Sequence, residues 1–257
     1  MAEQGADMQG STREVIDDAQ FKRMVKDHRG TFFTRNDYQI VTLALIAVNV
    51  VVFAVEMWRS GIGFDISTRV LIDMGAMLPA AITSPADFYR FVTPMFLHLD
   101  VMHLLMNMMA LYSVGALLEQ VLGRANFVLL YFIAGITGNV VSYAADLVFG
   151  TGMTVSAGAS ASVFGLFVAV ALLGVLCRGD RHFIREYSRG MIAVILVNIA
   201  YTLLAPGISV SGHLGGAVGG ALAMLMVPAF ALRTPVALRF VVALAWAVAV
   251  AFVLFGL

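Results

Sequence analysis

Gly158-Ala159-Ser160-Ala161-Ser162-Val163-Phe164-Gly165 opens an uncharged run that extends from Ala157 to Cys177. A hydrocarbon core about 30 Å thick needs roughly 20 apolar residues of helix. The run therefore crosses a bilayer, and the Ser160 hydroxyl lies inside the membrane, a few residues below one surface. A lone serine there bonds to the carbonyl one turn back or lets helices pack closely. Whether Ser160 does more depends on what the rest of the chain brings to the same depth.

Composition sets the frame. Of the 257 residues, 60% are hydrophobic and only 12% charged, with a mean hydropathy of +0.90. Soluble domains carry about 25% charged residues, so the expectation is an all-α polytopic membrane protein. Zero net charge argues against a nucleic-acid partner. The single cysteine, Cys177, excludes an internal disulfide framework and a Cys-rich metal site, leaving five histidines as possible ligands. Residues 1–38 hold six Lys or Arg and seven Asp or Glu without a sustained apolar period, which reads as a polar tail. No secretory signal peptide is visible, so the first apolar segment is expected to stay as a signal anchor.

Seven apolar segments follow, at about 39–58, 100–120, 125–148, 157–177, 190–205, 211–232 and 236–257. The long connection between the first two mixes apolar residues with Pro79, Pro85 and Pro94, which suits a segment lying on the membrane surface. With seven spans, thirteen Lys and Arg fall on one side and three (Arg59, Arg69 and Arg90) on the other. The excess marks the cytoplasmic face. The N-terminus is then cytoplasmic, the C-terminus outside, and the second, fourth and sixth segments enter from outside.

Each of those three segments carries its unusual polar residues near its outer end: His103 and Asn107, Ser160, and His213. With Asp100, Ser156 and Ser211 as expected N-caps, a rise of 1.5 Å per residue places all four within about 3 to 11 Å of the helix starts. His103 and Asn107, four apart, share a helix face. Interhelical bonding explains that pair as well as chemistry does. Gly212, Gly216 and Gly220 form a flat stripe for close packing, but packing does not explain His213. A serine becomes a good nucleophile when a neutral imidazole takes its proton, and Ser160 with His213 would supply that pair. His103, the Asn107 amide and the Ser160 N–H would stabilise the resulting oxyanion. No carboxylate sits at that depth in the fourth or sixth segment, so a dyad is expected, with Asp100 and Asp146 the weak candidates for a third member.

At this point the chain resembles the rhomboid family of intramembrane serine proteases. The likeness covers roughly Gly75 to Gly220. It rests on Gly75-Ala76, Tyr89-Arg90, Phe96-Leu97-His98, His103-x-x-x-Asn107 and Gly115-x-x-x-Glu119-x-x-x-Gly123, then Gly138-Asn139, Gly158-Ala159-Ser160 with Phe164-Gly165, and His213-Leu214-Gly215-Gly216. The resemblance implies a six-helix catalytic core at 39–232, with residues 233–257 forming an additional C-terminal helix. It implies Ser160 as nucleophile, His213 as base, and His103 and Asn107 at the oxyanion. Phe164 is expected to pack on the His213 ring, with Gly158 and Gly216 supporting the site. Ala161 departs from the glycine usual after the nucleophile and is expected to narrow the substrate pocket; Gly212 departs from the usual alanine before the histidine.

The reading is a serine endopeptidase that cuts transmembrane protein substrates near their outer ends, embedded in a lipid bilayer such as a bacterial plasma membrane, with no cofactor and no metal. A silent relative that binds membrane clients, and a transporter whose polar residues line a pathway, are the rival readings. Asn49, Asn198 and Thr202 are expected to be interhelical hydrogen bonders, and Glu119 to form an ion pair or cap with Arg124. The segment at 190–205, with Pro206 and Gly207 at its outer end, is the expected moving element.

Overall fold

Apolar runs free of proline form the long helices of the computed structural model, which describes residues 39–61, 64–150, 152–176, 189, 193, 196–200, 202, 204, 209–229 and 232–256. Helix α1 spans Ile40–Ser60, α2 Thr68–Asp73, α3 Val101–Leu122 and α4 Arg124–Phe149. Helix α5 spans Ser160–Leu176, α6 Val210–Met226 and α7 Val236–Gly256. Between α5 and α6, residues 196–200, 202 and 204 are helical. The 1–38 tail, Cys177, Pro206 and Gly207 lie outside the described residues. By length and composition α1, α3, α4 and α7 suffice to cross a membrane, and α5 and α6 are shorter apolar helices. The chain is an all-α polytopic membrane protein.

Helix α5 sits at the centre, against α3, α4 and α6. An apolar helix with no polar face belongs in the interior of a bundle, and Val163, Leu166, Ala169 and Leu173 are all buried. Glycines let α6 approach. A Cβ at Gly216 would fall on the Ala161 carbonyl, and one at Gly220 on the Gly165 backbone. Helix α1 packs on α3 and is capped by it: the Glu119 carboxylate accepts from the N–H groups of Val41 and Thr42 and from the Thr42 hydroxyl, each at 2.9 Å. A carboxylate at a helix N-terminus meets unsatisfied donors and the positive end of the helix dipole. The expected partner Arg124 stands at 3.8 Å. Helix α7 packs on the outside, against α4 and α6, where the Trp246 indole donates to Thr137 Oγ1 at 2.8 Å.

The long connection after α1 is folded. Its prolines begin 3₁₀ turns at Pro79–Ala81 and Pro85–Phe91 and sit inside one at Thr93–Phe96. The buried Arg90 guanidinium donates to the carbonyls of Ile72 and Ala76 at 3.0 and 2.9 Å, tying the turns to α2. This connection also decides where α5 begins. Ser156 is not the N-cap of a helix: it exchanges two 2.9 Å backbone hydrogen bonds with Met77, and the Gly158 N–H donates to Pro94 O at 2.8 Å. With those groups satisfied by the connection and Gly158 at φ +138°, the helix starts at Ser160. Helix α6 is capped by Ser209 rather than Ser211, and it ends at Met226, ahead of Pro228.

Candidate active site

Three helix starts converge on one small pocket. On α3 the Asp100 carboxylate accepts the His103 N–H at 2.8 Å, fixing the first turn. Asn107 lies one turn further and donates through Nδ2 to His103 O at 2.9 Å, which leaves its second amide proton uncommitted by this bond. On α5 Ser160 is the first residue, so its backbone N–H precedes the intrahelical ladder. On α6 Ser209 Oγ accepts the Gly212 N–H at 3.0 Å and meets Ser142 Oγ of α4 at 2.8 Å. Those contacts set the turn that carries His213.

The pocket is lined by His103, Met106, Asn107, Ser160, Phe164, Asn198, Thr202 and His213. His213 Nε2 lies 2.5 Å from Ser160 Oγ, within reach of direct proton transfer. The Phe164 ring is parallel to the imidazole, with centroids 4.3 Å apart and planes 12° apart. Gly158 leaves room for the third helix: a Cβ there would come within 2.7 Å of His103 Cε1 and 3.3 Å of Ser160 Oγ, at a φ that L residues rarely adopt. Beyond His213 an apolar cavity of about 370 Å³ opens between α5, α6 and the 196–204 segment, bordered by Phe167, Ile199, Thr202 and Leu214.

One side chain points elsewhere than expected. The Ala161 methyl is not in the pocket; it lies where a Cβ on Gly138 of α4 would meet it, at 2.5 Å. Its direction is set by helix geometry, since one residue turns the helix by about 100° from Ser160. Ser162 is buried and faces Gly135 of α4. Asn49 donates through Nδ2 to Leu45 O of its own helix at 2.8 Å, and its side chain also meets the Tyr131 hydroxyl of α4. Thr202, expected to bond between helices, meets His213 Nδ1 itself at 2.8 Å.

Behind the pocket lies a polar layer that joins His98, marked in the sequence only as part of the Phe96-Leu97-His98 motif, to Glu56, which the sequence reading did not mark. Glu56 of α1 is fully buried, and its two oxygens accept the His98 N–H at 3.2 and 3.3 Å. The His98 ring packs edge-on between Phe53 and His103, at 6.4 and 5.4 Å. Burial, reinforced by His103, holds the His98 imidazole well below its ordinary pKa. A lone glutamate two residues before the end of the first apolar run was the available signal. Among the described residues no three His, Cys, Asp or Glu side chains converge as a metal-binding group.

Fold and site together define a helical membrane protein with a serine and a histidine paired inside its bundle. The Rhomboid domain profile matches residues 85–230, and the chain belongs to the rhomboid family. It is 33% identical to the rhomboid protease GluP of Bacillus subtilis over 72% of this chain and 34% of that protein. It is 34% identical to the B. subtilis protein YdcA over 53% of this chain and 65% of that one. With rhomboid-like protease 3 of Toxoplasma gondii the identity is 27%, over 72% of this chain and 67% of that protein. The chain thus spans less than two thirds of either Bacillus relative.

Proposed function

We propose that the chain is an intramembrane serine endopeptidase in which Ser160 is the nucleophile and His213 the general base. The observation that carries this is the 2.5 Å approach of Ser160 Oγ to His213 Nε2 from separate helices. Attack of Oγ on a substrate carbonyl forms the C–O bond while Nε2 takes the hydroxyl proton. The oxyanion is met by the Ser160 N–H, with His103 and the Asn107 amide as further donors. Collapse breaks the C–N bond, His213 returns the proton to the leaving amine, and water then releases the acyl group by the same route. Phe164 holds the imidazole in plane, while Gly158 and Gly216 keep the three helices close enough for the groups to meet.

The substrates are transmembrane segments of other proteins, cut near their outer ends within a bilayer such as a bacterial plasma membrane. The working unit is a six-helix core at 39–232 with residues 233–257 as an added helix, the N-terminus cytoplasmic and the C-terminus outside. No step calls for a metal or cofactor. The test is labelling of the purified protein with a fluorophosphonate probe, beside cleavage of a model membrane substrate. Wild type should label and cleave; Ser160→Ala and His213→Ala should do neither, with the fold intact. Cleavage by Ser160→Ala would overturn the assignment, and a wild-type protein that binds substrate without labelling or cutting it would favour a silent client-binding relative.

A further inference from the structure

Both ring nitrogens of His213 are engaged. Nε2 meets Ser160 Oγ at 2.5 Å, and Nδ1 meets Thr202 Oγ1 at 2.8 Å. The same threonine oxygen lies 2.8 Å from the Asn198 carbonyl, one turn back on its own segment. A carbonyl can only accept, so the single hydroxyl proton of Thr202 is committed to Asn198 O. Thr202 then has only lone pairs to offer the imidazole. The contact is a hydrogen bond when Nδ1 carries the proton, and a neutral imidazole with its proton on Nδ1 leaves the Nε2 lone pair facing Ser160.

We propose that Thr202 is a positioning residue that fixes His213 in the Nδ1–H tautomer and steadies the imidazolium formed when Ser160 gives up its proton. This rests on the reading of Ser160 and His213 as the reacting pair. A threonine bonded to the carbonyl four residues back is an ordinary feature of apolar helices, and the Asn198 contact alone needs no other account. The His213 side does need one. Its ring is 6% exposed, and without Thr202 its Nδ1 would face a buried site unpaired, at the cost that any such group incurs. A hydroxyl performs this task without placing a charge in the membrane, which a carboxylate would do. Its bond to Asn198 O also polarises the oxygen that the ring sees, since linked hydrogen bonds strengthen one another.

Two variants separate this role from packing. Thr202→Val keeps the shape and removes the hydroxyl, at a position bordering the apolar cavity where an added methyl surface is tolerated; Thr202→Ser keeps the hydroxyl and removes the methyl. The rate of fluorophosphonate labelling reports activation of the serine without any need to admit a transmembrane substrate. Nitrogen-15 NMR of the histidine rings in detergent reports the tautomer directly and requires no activity. For Thr202→Val the labelling rate and kcat should fall about tenfold or more, as loss of one orienting hydrogen bond implies, with KM unchanged. His213 should show Nδ1–H in wild type and a mixture of tautomers in Thr202→Val, with Thr202→Ser restoring both rate and spectrum.

Wild-type His213 with its proton on Nε2, or a Thr202→Val protein that labels at the wild-type rate, would overturn the proposal. Equal impairment of Val and Ser variants would do the same, because it would mark a packing role. Should Thr202→Val fail to fold, Thr202→Ala is read by the same criteria, and the wild-type spectrum decides alone. Labelling that persists in Ser160→Ala would instead sink the underlying catalytic reading, whatever the spectrum shows at position 202.

Discussion

At the scale of single residues, Asn107 and Ala161 make opposite predictions about which neighbours of Ser160 take part in the reaction. Asn107 lines the pocket and keeps an amide proton beyond its bond to His103 O. Asn107→Ala should therefore lower kcat by roughly 100-fold, about 3 kcal/mol, as removal of one oxyanion donor does elsewhere, while leaving residual activity and labelling. An unchanged kcat would reduce Asn107 to a structural hydrogen bonder. Ala161 adjoins Ser160 in sequence, yet its methyl faces Gly138 of α4 and not the pocket. Ala161→Gly should leave the preference for residues at the cut bond unchanged in a panel of substrates, and a shift toward larger residues would contradict the placement of that methyl. The four polar groups at one depth were legible in the chain because helical rise converts residue number into depth. The direction of Ala161 and the bond from Thr202 to His213 were not. Azimuth around a helix has meaning only once its neighbours are placed, and Thr202 reaches His213 from a separate helical segment.

At the scale of elements, the approach of α6 to α5 is what sets the distance between the serine and the histidine. Gly216 touches the Ala161 carbonyl, one residue from Ser160 and three from His213, and backbone there cannot step aside. Gly216→Ala should push α6 outward, costing about 1 to 3 kcal/mol of stability as overpacking does, and labelling should fall because the 2.5 Å contact opens. Gly212 is the control within the same stripe. A Cβ there would come closest to the Ser209 hydroxyl, at 3.1 Å, and that group can shift. Gly212→Ala should keep labelling near wild type, with thermal unfolding in detergent measured on both variants; equal losses would show that the stripe serves packing in general and not the site. The glycine stripe was legible from its spacing. The start of α5 was not, because Ser156 has the residue type of an N-cap but pairs instead with Met77, about 80 positions earlier in the chain. Likewise Glu119 is recognisable as a capping group in sequence, while the helix it caps is α1, whose first turn it holds from across the bundle.

At the scale of the whole molecule, the position of Ser160 at the first residue of α5 limits where a substrate can be cut. On the proposed topology, in which the fourth segment enters from outside, the proposed nucleophile stands at the outer end of a helix of 17 residues. The folded connection at 64–100 lies directly above it, since Met77 and Pro94 bond to the backbone of Ser156 and Gly158. A substrate helix arriving from the bilayer presents carbonyls already bonded within its own ladder, so it must unwind where it meets Ser160. A glycine or proline in the substrate lowers that cost by about 1 to 3 kcal/mol per residue. Mass spectrometry of products from a panel of single-span substrates should therefore place every cut in the outer half of the segment, with slower cleavage when the helix-breaking Gly or Pro is changed to Leu. Cysteines introduced singly at Gly61 and Gly123, which close α1 and α3 at opposite ends, give the orientation independently: a membrane-impermeant thiol reagent should reach the first from outside and the second only from the cytoplasmic side. Cuts in the cytoplasmic half, with that labelling as expected, would mean that the substrate enters deeper than Ser160 and that the catalytic assignment is wrong. The same cuts with the labelling reversed would leave the site standing and invert the topology.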